Sequence, residues 1–234
     1  MTSVTAGPVR LRARLDTPLS RWLWLVKWLL VLPHAVVLAF LWFAFLVLTV
    51  VVFFAVLFTG RYPRAIFDFN VGVMRWTWRV WYYGYCALGT DRYPPFSLGE
   101  HPEYPTTLDI AYPQHLSRGL VLVKWWLLAL PHHLVLTVFF GGGSFLLWQV
   151  GDAWAGAGGG LVTILVFFAA VSLLFTGAYP LGLFDLVMGM NRWALRVGAY
   201  VALMTDEYPP FRMDLGGTEV VGETPAQPVP APAG

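Results

Sequence analysis

Two long stretches of the chain carry no charge: Trp28 to Gly60 contains no Asp, Glu, Lys or Arg, and neither does Ala153 to Phe184. Charge-free apolar runs of ~18 residues or more predict helices that live in a bilayer. Each run closes on the same phrase, "LFTGRYP" from Leu57 and "LFTGAYP" from Leu174. There Gly60 and Gly177 supply the left-handed residue that ends a helix, and Pro63 and Pro180 open the next one. Elsewhere the pattern switches to strict alternation. "VRLRARLD" (Val9 to Asp16) and, more loosely, "TTLDIAY" (Thr106 to Tyr112) predict half-exposed strands. With "PPFSL" and "PPFRM" they predict a small cytoplasmic sheet.

The phrases recur in order. "VKWLLVLPH" (Val26 to His34) returns as "VKWWLLALPHH" (Val123 to His133), "FDFNVGVMRWTWR" as "FDLVMGMNRWALR", and "TDRYPPF" as "TDEYPPF". A duplicated chain follows. Between Pro131 and Gly177 the second copy is longer than the first, and the obvious extra segment is Gly141 to Gly160, full of helix breakers. Insertions sit in loops more readily than inside helices. The equivalent point near Trp42 and Phe43 is therefore expected to be a turn, and each copy a helical hairpin, in preference to the alternative of one span from His34 to Phe58, which would put Arg61 to Arg92 across the membrane from Arg10 to Lys27. The first hairpin runs out from Ser20 and back to Thr59, and the second out from Ser117 and back to Thr176. The return limb Phe43 to Thr59 is about 25 Å long at 1.5 Å per residue, short for a core of about 30 Å. Thin spans and re-entrant wedges both stay open.

Composition strengthens the membrane reading: 58% of the 234 residues are hydrophobic and 12% charged, half the charge of a typical soluble domain. The expected fold class is mainly α and integral to the membrane, with a few short strands. It divides into an N-terminal strand segment (1–19), repeat one (20–98), repeat two (104–214) and a disordered tail (215–234). Lys and Arg all lie outside the hairpin tips, which places both feet of each hairpin, and both termini, on the cytoplasmic side of a multi-pass protein. The first twenty residues lack the short apolar core and cleavage site of a removable signal peptide. Cys86 is the single cysteine, and a net charge of +2 makes no case for nucleic acid as a partner.

After each hairpin comes a helix with a narrow charged stripe. Arg64, Asp68, Arg75 and Arg79 project within about 60° of one another, and Asp185, Arg192 and Arg196 repeat the last three. Trp and Tyr flank the stripe, the pattern of an amphipathic helix lying in the membrane interface. Two roles remain open for it: anchoring to lipid head groups with local Asp–Arg pairing, or binding an anionic ligand. His34, His132 and His133 follow the helix prolines, where an imidazole can bond a carbonyl freed by the kink. They are also functional candidates as intramembrane ionisable groups. No HExxH, GxSxG, P-loop or GxGxxG motif is present, so no metal, cofactor or catalytic residue is assigned.

The residues "RWLWLVKWLLVLPH", "LFTGRYPRAIFDFNVGVMRWTWRV" and "TDRYPPF" resemble the bacterial family catalogued as domain of unknown function 4389, here in two tandem copies. The resemblance spans Ser20 to Met213. It implies an integral protein of the bacterial plasma membrane and brings no activity or catalytic residues. The copies differ at Arg64, which becomes Leu181. Counted from the prolines, the place of Lys27 falls on Trp125, with Lys124 one residue earlier, which sets these cations aside as shared functional groups. The leading expectation is a non-enzymatic scaffold that organises membrane lipids, an unidentified protein partner or a homo-oligomer. The alternative is a small transporter or channel with a site between two parallel repeats.

Overall fold

The computed structural model describes residues 7–141 and 160–214. The expected Gly-rich insertion thus lies outside the described residues except for its ends, and the C-terminal tail lies outside them altogether. The fold is mainly helical, with one two-stranded sheet among the described residues. Strand β1 (Val9–Ala13) pairs antiparallel with β2 (Thr106–Ile110), Val9 opposite Ile110 and Ala13 opposite Thr106. The alternation reads directly in the burial: Val9, Leu11 and Ala13 face inward while Arg10 and Arg12 stay exposed. The two PPF segments are not strands. They fold back onto the helices and turn at each Phe, where Ser97 N–H donates to Pro95 O and Arg212 N–H to Pro210 O.

Helix α1 (Trp24–Thr59) runs for 36 residues without a break and ends on Gly60, whose φ of 70° is left-handed. The turn expected near Trp42 does not exist. The insertion in the second half points to one there, but the first half offers no Gly or second Pro to interrupt the ladder. The return limb is α2 (Arg64–Tyr83), which starts just beyond Gly60 and runs back along α1. Trp42 donates to Thr77 at 3.0 Å, Trp76 meets His34, and Tyr83 meets Lys27.

In the second half, α3 (Leu120–Phe140) and α4 (Leu161–Thr176) together match the length of α1. A Cβ on Gly160 would sit 2.4 Å from the Phe139 carbonyl oxygen and 2.3 Å from the Gly141 nitrogen, so α4 starts where α3 stops. Along helix α5 (Leu181–Val201), the start of α3 lies at the far end, with Lys124 beside Tyr200. The end of α4 comes just before α5 begins. Thus α4 continues α3 rather than returning beside it, and the second hairpin is corrected in the same way as the first. The insertion interrupts one long helix at a joint.

The two long helices run in opposite directions. Leu116 N–H, just before α3, donates to Gly60 O at 2.9 Å, and the Arg21 guanidinium, just before α1, lies against Gly177. The halves are therefore antiparallel, against the expectation that both enter from one side. Each buries one stripe of its long helix: Lys27, His34, Leu38, Phe45, Val52 and Val56 on α1, and Val162, Val166, Ala169 and Leu173 on α4. Helices α2 and α5 form the middle of the molecule. Helix α2 turns Trp76, Thr77 and Tyr83 to α1, and Arg75, Trp78, Arg79 and Tyr82 to the sheet and its loops. At 100° per residue the two sets centre about 135° apart. On the other half, α5 packs against β1. The order is sheet, then α2 and α5, then the long helices, two of which (α1 and α3) are long and apolar enough to cross a membrane.

Candidate functional site

The lysines form the first recurrent feature. Lys27 is 1% exposed, and its Nζ donates to Thr90 O at 2.6 Å and pairs with Asp91 at 3.0 Å. Lys124, equally buried, donates to Thr205 O at 2.9 Å and pairs with Asp206 at 2.8 Å. Each aspartate also accepts a backbone N–H ahead of its long helix, Asp91 from Ser20 and Asp206 from Ser117. The "TD" of TDRYPPF and TDEYPPF thus closes a clamp on the helix start.

Setting the lysines aside as unmatched is overturned by a π turn at Lys124–Leu128. One π turn accommodates one extra residue in an α-helix. It absorbs the additional position between Lys124 and His132, so both side chains keep the places that Lys27 and His34 hold. Sequence offsets alone hide this equivalence.

Beyond the clamp, each first histidine enters an aromatic cage. His34 stacks on Phe96 at 3.9 Å between ring centroids, lies 4.9 Å from Tyr93, and accepts a 3.1 Å hydrogen bond from Trp76 Nε1. His132 stacks on Phe211 at 4.3 Å, with Tyr208 and Trp193 beside it. The tyrosines bond helix carbonyls near the prolines, Tyr93 to Leu30 O and Tyr208 to Leu128 O. Of the three histidines, His133 alone bonds a carbonyl of its own helix, Ala129 O at 2.7 Å. His34 and His132 thus do not take the carbonyl role expected of them, and the tyrosines bond Leu30 and Leu128 rather than the carbonyls four residues before each proline.

The charged stripe divides. Arg79, 3% exposed, donates to Gly99 O at 2.8 Å and to Ser97 O. Its burial pulls the guanidinium below its ordinary pKa. Arg75 donates to Leu108 O at 2.9 Å and pairs with Glu100 at 2.7 Å and Asp109 at 3.2 Å. In the second half, Arg192 and Arg196 both bond Asp214, the latter as an ion pair. These arginines hold down the chain that follows their helices. Asp68 pairs instead with Arg64 at 3.1 Å on the exposed surface. Asp185, where Leu181 replaces that arginine, has no ion-pair partner among the described residues. Of the local Asp–Arg pairing expected along the stripe, Arg64–Asp68 forms, while among the described residues neither Asp68 with Arg75 nor Asp185 with Arg192 makes an ion pair. Most of α2 and α5 is buried inside the protein, with Trp78, Tyr82 and Tyr83 at 0–1% exposure, which leaves little of either helix free to lie on a membrane interface.

Two cavities are lined by the described residues. One, of about 370 Å³, opens beside β2 and is lined by Arg10, Arg12, Arg75, Arg79, Glu100 and Asp109 among others. Arg10 and Arg12 are its exposed cations, so it suits anionic or mixed-charge groups. The other, of about 410 Å³, lies between the halves, against Trp42, Met74, Trp81, Phe140, Leu195 and Gly198. Its lining is nearly all apolar, with Thr77, His133 and Thr137 as the polar exceptions. Among the described residues, no three His, Cys, Asp or Glu side chains converge as metal ligands.

A model of the family described as "Domain of unknown function (DUF4389)" matches residues 21–97 and 154–212, together more than half of the chain. No curated protein and no solved structure matches it.

Proposed function

The chain belongs to the DUF4389 family, and on that premise we propose that it is a non-enzymatic membrane scaffold built from two copies of one helical unit. The outer face of the long helices organises lipid. The sheet and its charged loops, with Arg10 and Arg12 outermost, meet a protein partner.

One observation carries this reading: the side of α1 turned away from α2 is exposed and apolar along its whole length, with Phe40 at 74%, Phe43 at 71% and Phe58 at 71% exposure. A soluble monomer rarely shows so large an apolar patch. The inward chemistry supports the non-enzymatic half. The buried cations are engaged by backbone carbonyls and carboxylates that fix the fold. Flotation tests it. After reconstitution, the chain should rise with vesicles through a density gradient and stay with them through alkaline carbonate and high salt. Release by either wash would defeat the membrane reading.

The apolar cavity between the halves favours transport as a second reading, of an apolar rather than an ionic solute. Solute flux in sealed proteoliposomes above the protein-free rate would favour it over the scaffold.

A further inference from the structure

We infer that the protein lies flat in one leaflet of the bilayer, with both ends of α1 on the same side of the membrane. This seating rests on the membrane reading above and makes it specific.

The lipid-facing surface is defined by what α1 buries and what it leaves bare. Lys27, His34, Phe45, Val52 and Val56 share the stripe that faces α2. Trp28, Phe40, Phe43, Leu46, Phe54 and Phe58 lie on the opposite side and are 51–74% exposed. The second long helix extends the same surface with Leu134, Phe167 and Phe175. Apolar exposure therefore reaches from one end of α1 to the other, over about 54 Å at 1.5 Å per residue. That is far more than the ~30 Å of a hydrocarbon core.

Charge settles the orientation. Arg75 lies near the middle of α2, which itself runs alongside α1. Its partners Glu100 and Asp109 have side chains 68% and 61% exposed, and Asp109 lies opposite the exposed Arg10 across the strands. This charged deck sits over the midsection of the long helices, not at their ends. If α1 stood along the membrane normal, the deck would lie at mid-bilayer depth with its carboxylates facing lipid, a costly arrangement. Laid flat, the molecule puts the apolar surface at the boundary of head groups and acyl chains. The deck then faces water two layers above. The antiparallel halves fit this seating, because both long helices contribute to one face and neither needs an end on the far side.

The occupant of the apolar surface is thus a lipid monolayer, and sidedness tests the claim. In a Cys86→Ser background, Ser20→Cys and Arg61→Cys are placed in one chain, at exposed positions flanking α1. The reconstituted protein is floated, treated with a membrane-impermeant maleimide in sealed vesicles, and weighed by mass spectrometry. Flat seating gives molecules labelled at both sites or at neither, whatever the mixture of insertions. A substantial singly labelled population that becomes doubly labelled when detergent opens the vesicles would overturn the inference while leaving the membrane reading intact. Failure to float would overturn both. The pair Ser20→Cys and Thr107→Cys, on the deck, gives an independent check. It should behave the same way, and one site shielded from the other would contradict the seating.

Discussion

At the scale of single residues, the buried lysines show how one polar group fixes a helix start. Each ammonium is desolvated, which is tolerable because a carbonyl and a carboxylate replace its water. Asp91 keeps 26% of its side-chain exposure, so losing it costs less than in a dry pair. We expect Asp91→Asn to destabilise the protein by about 1–3 kcal/mol. Lys27→Met combined with Asp91→Asn should be milder than Asp91→Asn alone, because no unpaired cation then stays inside. Thermal unfolding in detergent checks both. An unchanged Asp91→Asn variant would mean that water already satisfies Lys27. Part of this clamp is legible in the sequence, since TDRYPPF and TDEYPPF stand out as repeated phrases. Their partners are not legible. The residue added between Lys124 and His132 shifts the spacing, and only the π turn shows that the geometry is kept.

At the scale of elements, the strands and helix ends are the most readable. Alternation in Val9–Asp16 gives β1 directly, and Thr-Gly followed by Tyr-Pro gives the boundary between α1 and α2. The course of the chain between those boundaries is harder. A Gly-rich insertion looks the same at a hairpin tip and at a joint between collinear helices, because both tolerate breakers. Likewise, a charged stripe flanked by Trp and Tyr suits either lipid or protein packing. What decides for α2 is the chain after it, which returns to engage Arg75 and Arg79. Deleting residues 141–159 should join α3 to α4 as one helix equivalent to α1, with cooperative unfolding retained. Circular dichroism and a melting curve measure this. Loss of folding would show that α3 and α4 are not two parts of one interrupted helix.

At the scale of the whole molecule, the sequence carries runs long and apolar enough for lipid but does not say how the chain would meet it. Hydropathy counts apolar residues without recording which side of a helix they occupy, so a charge-free run reads as a span in either orientation. The folded arrangement adds the missing vector: apolar surface on the outside of the long helices, α2 and α5 behind it, and charge beyond. Deck charges should therefore be dispensable for membrane attachment. Arg10→Gln with Arg12→Gln should leave flotation unchanged on neutral and anionic vesicles, whereas a deck lying against head groups would lose about 1 kcal/mol per residue on anionic ones.

The most direct measurement is a depth profile along α1. Spin labels at Trp28, Phe43 and Phe58, all on the exposed side, can be compared by their relative collision rates with oxygen and with a water-soluble nickel chelate. Flat seating predicts nearly equal depth at the three positions, close to the boundary of head groups and acyl chains. A profile with Phe43 at the bilayer centre and the two outer positions shallow would contradict it and return α1 to the role of a spanning helix.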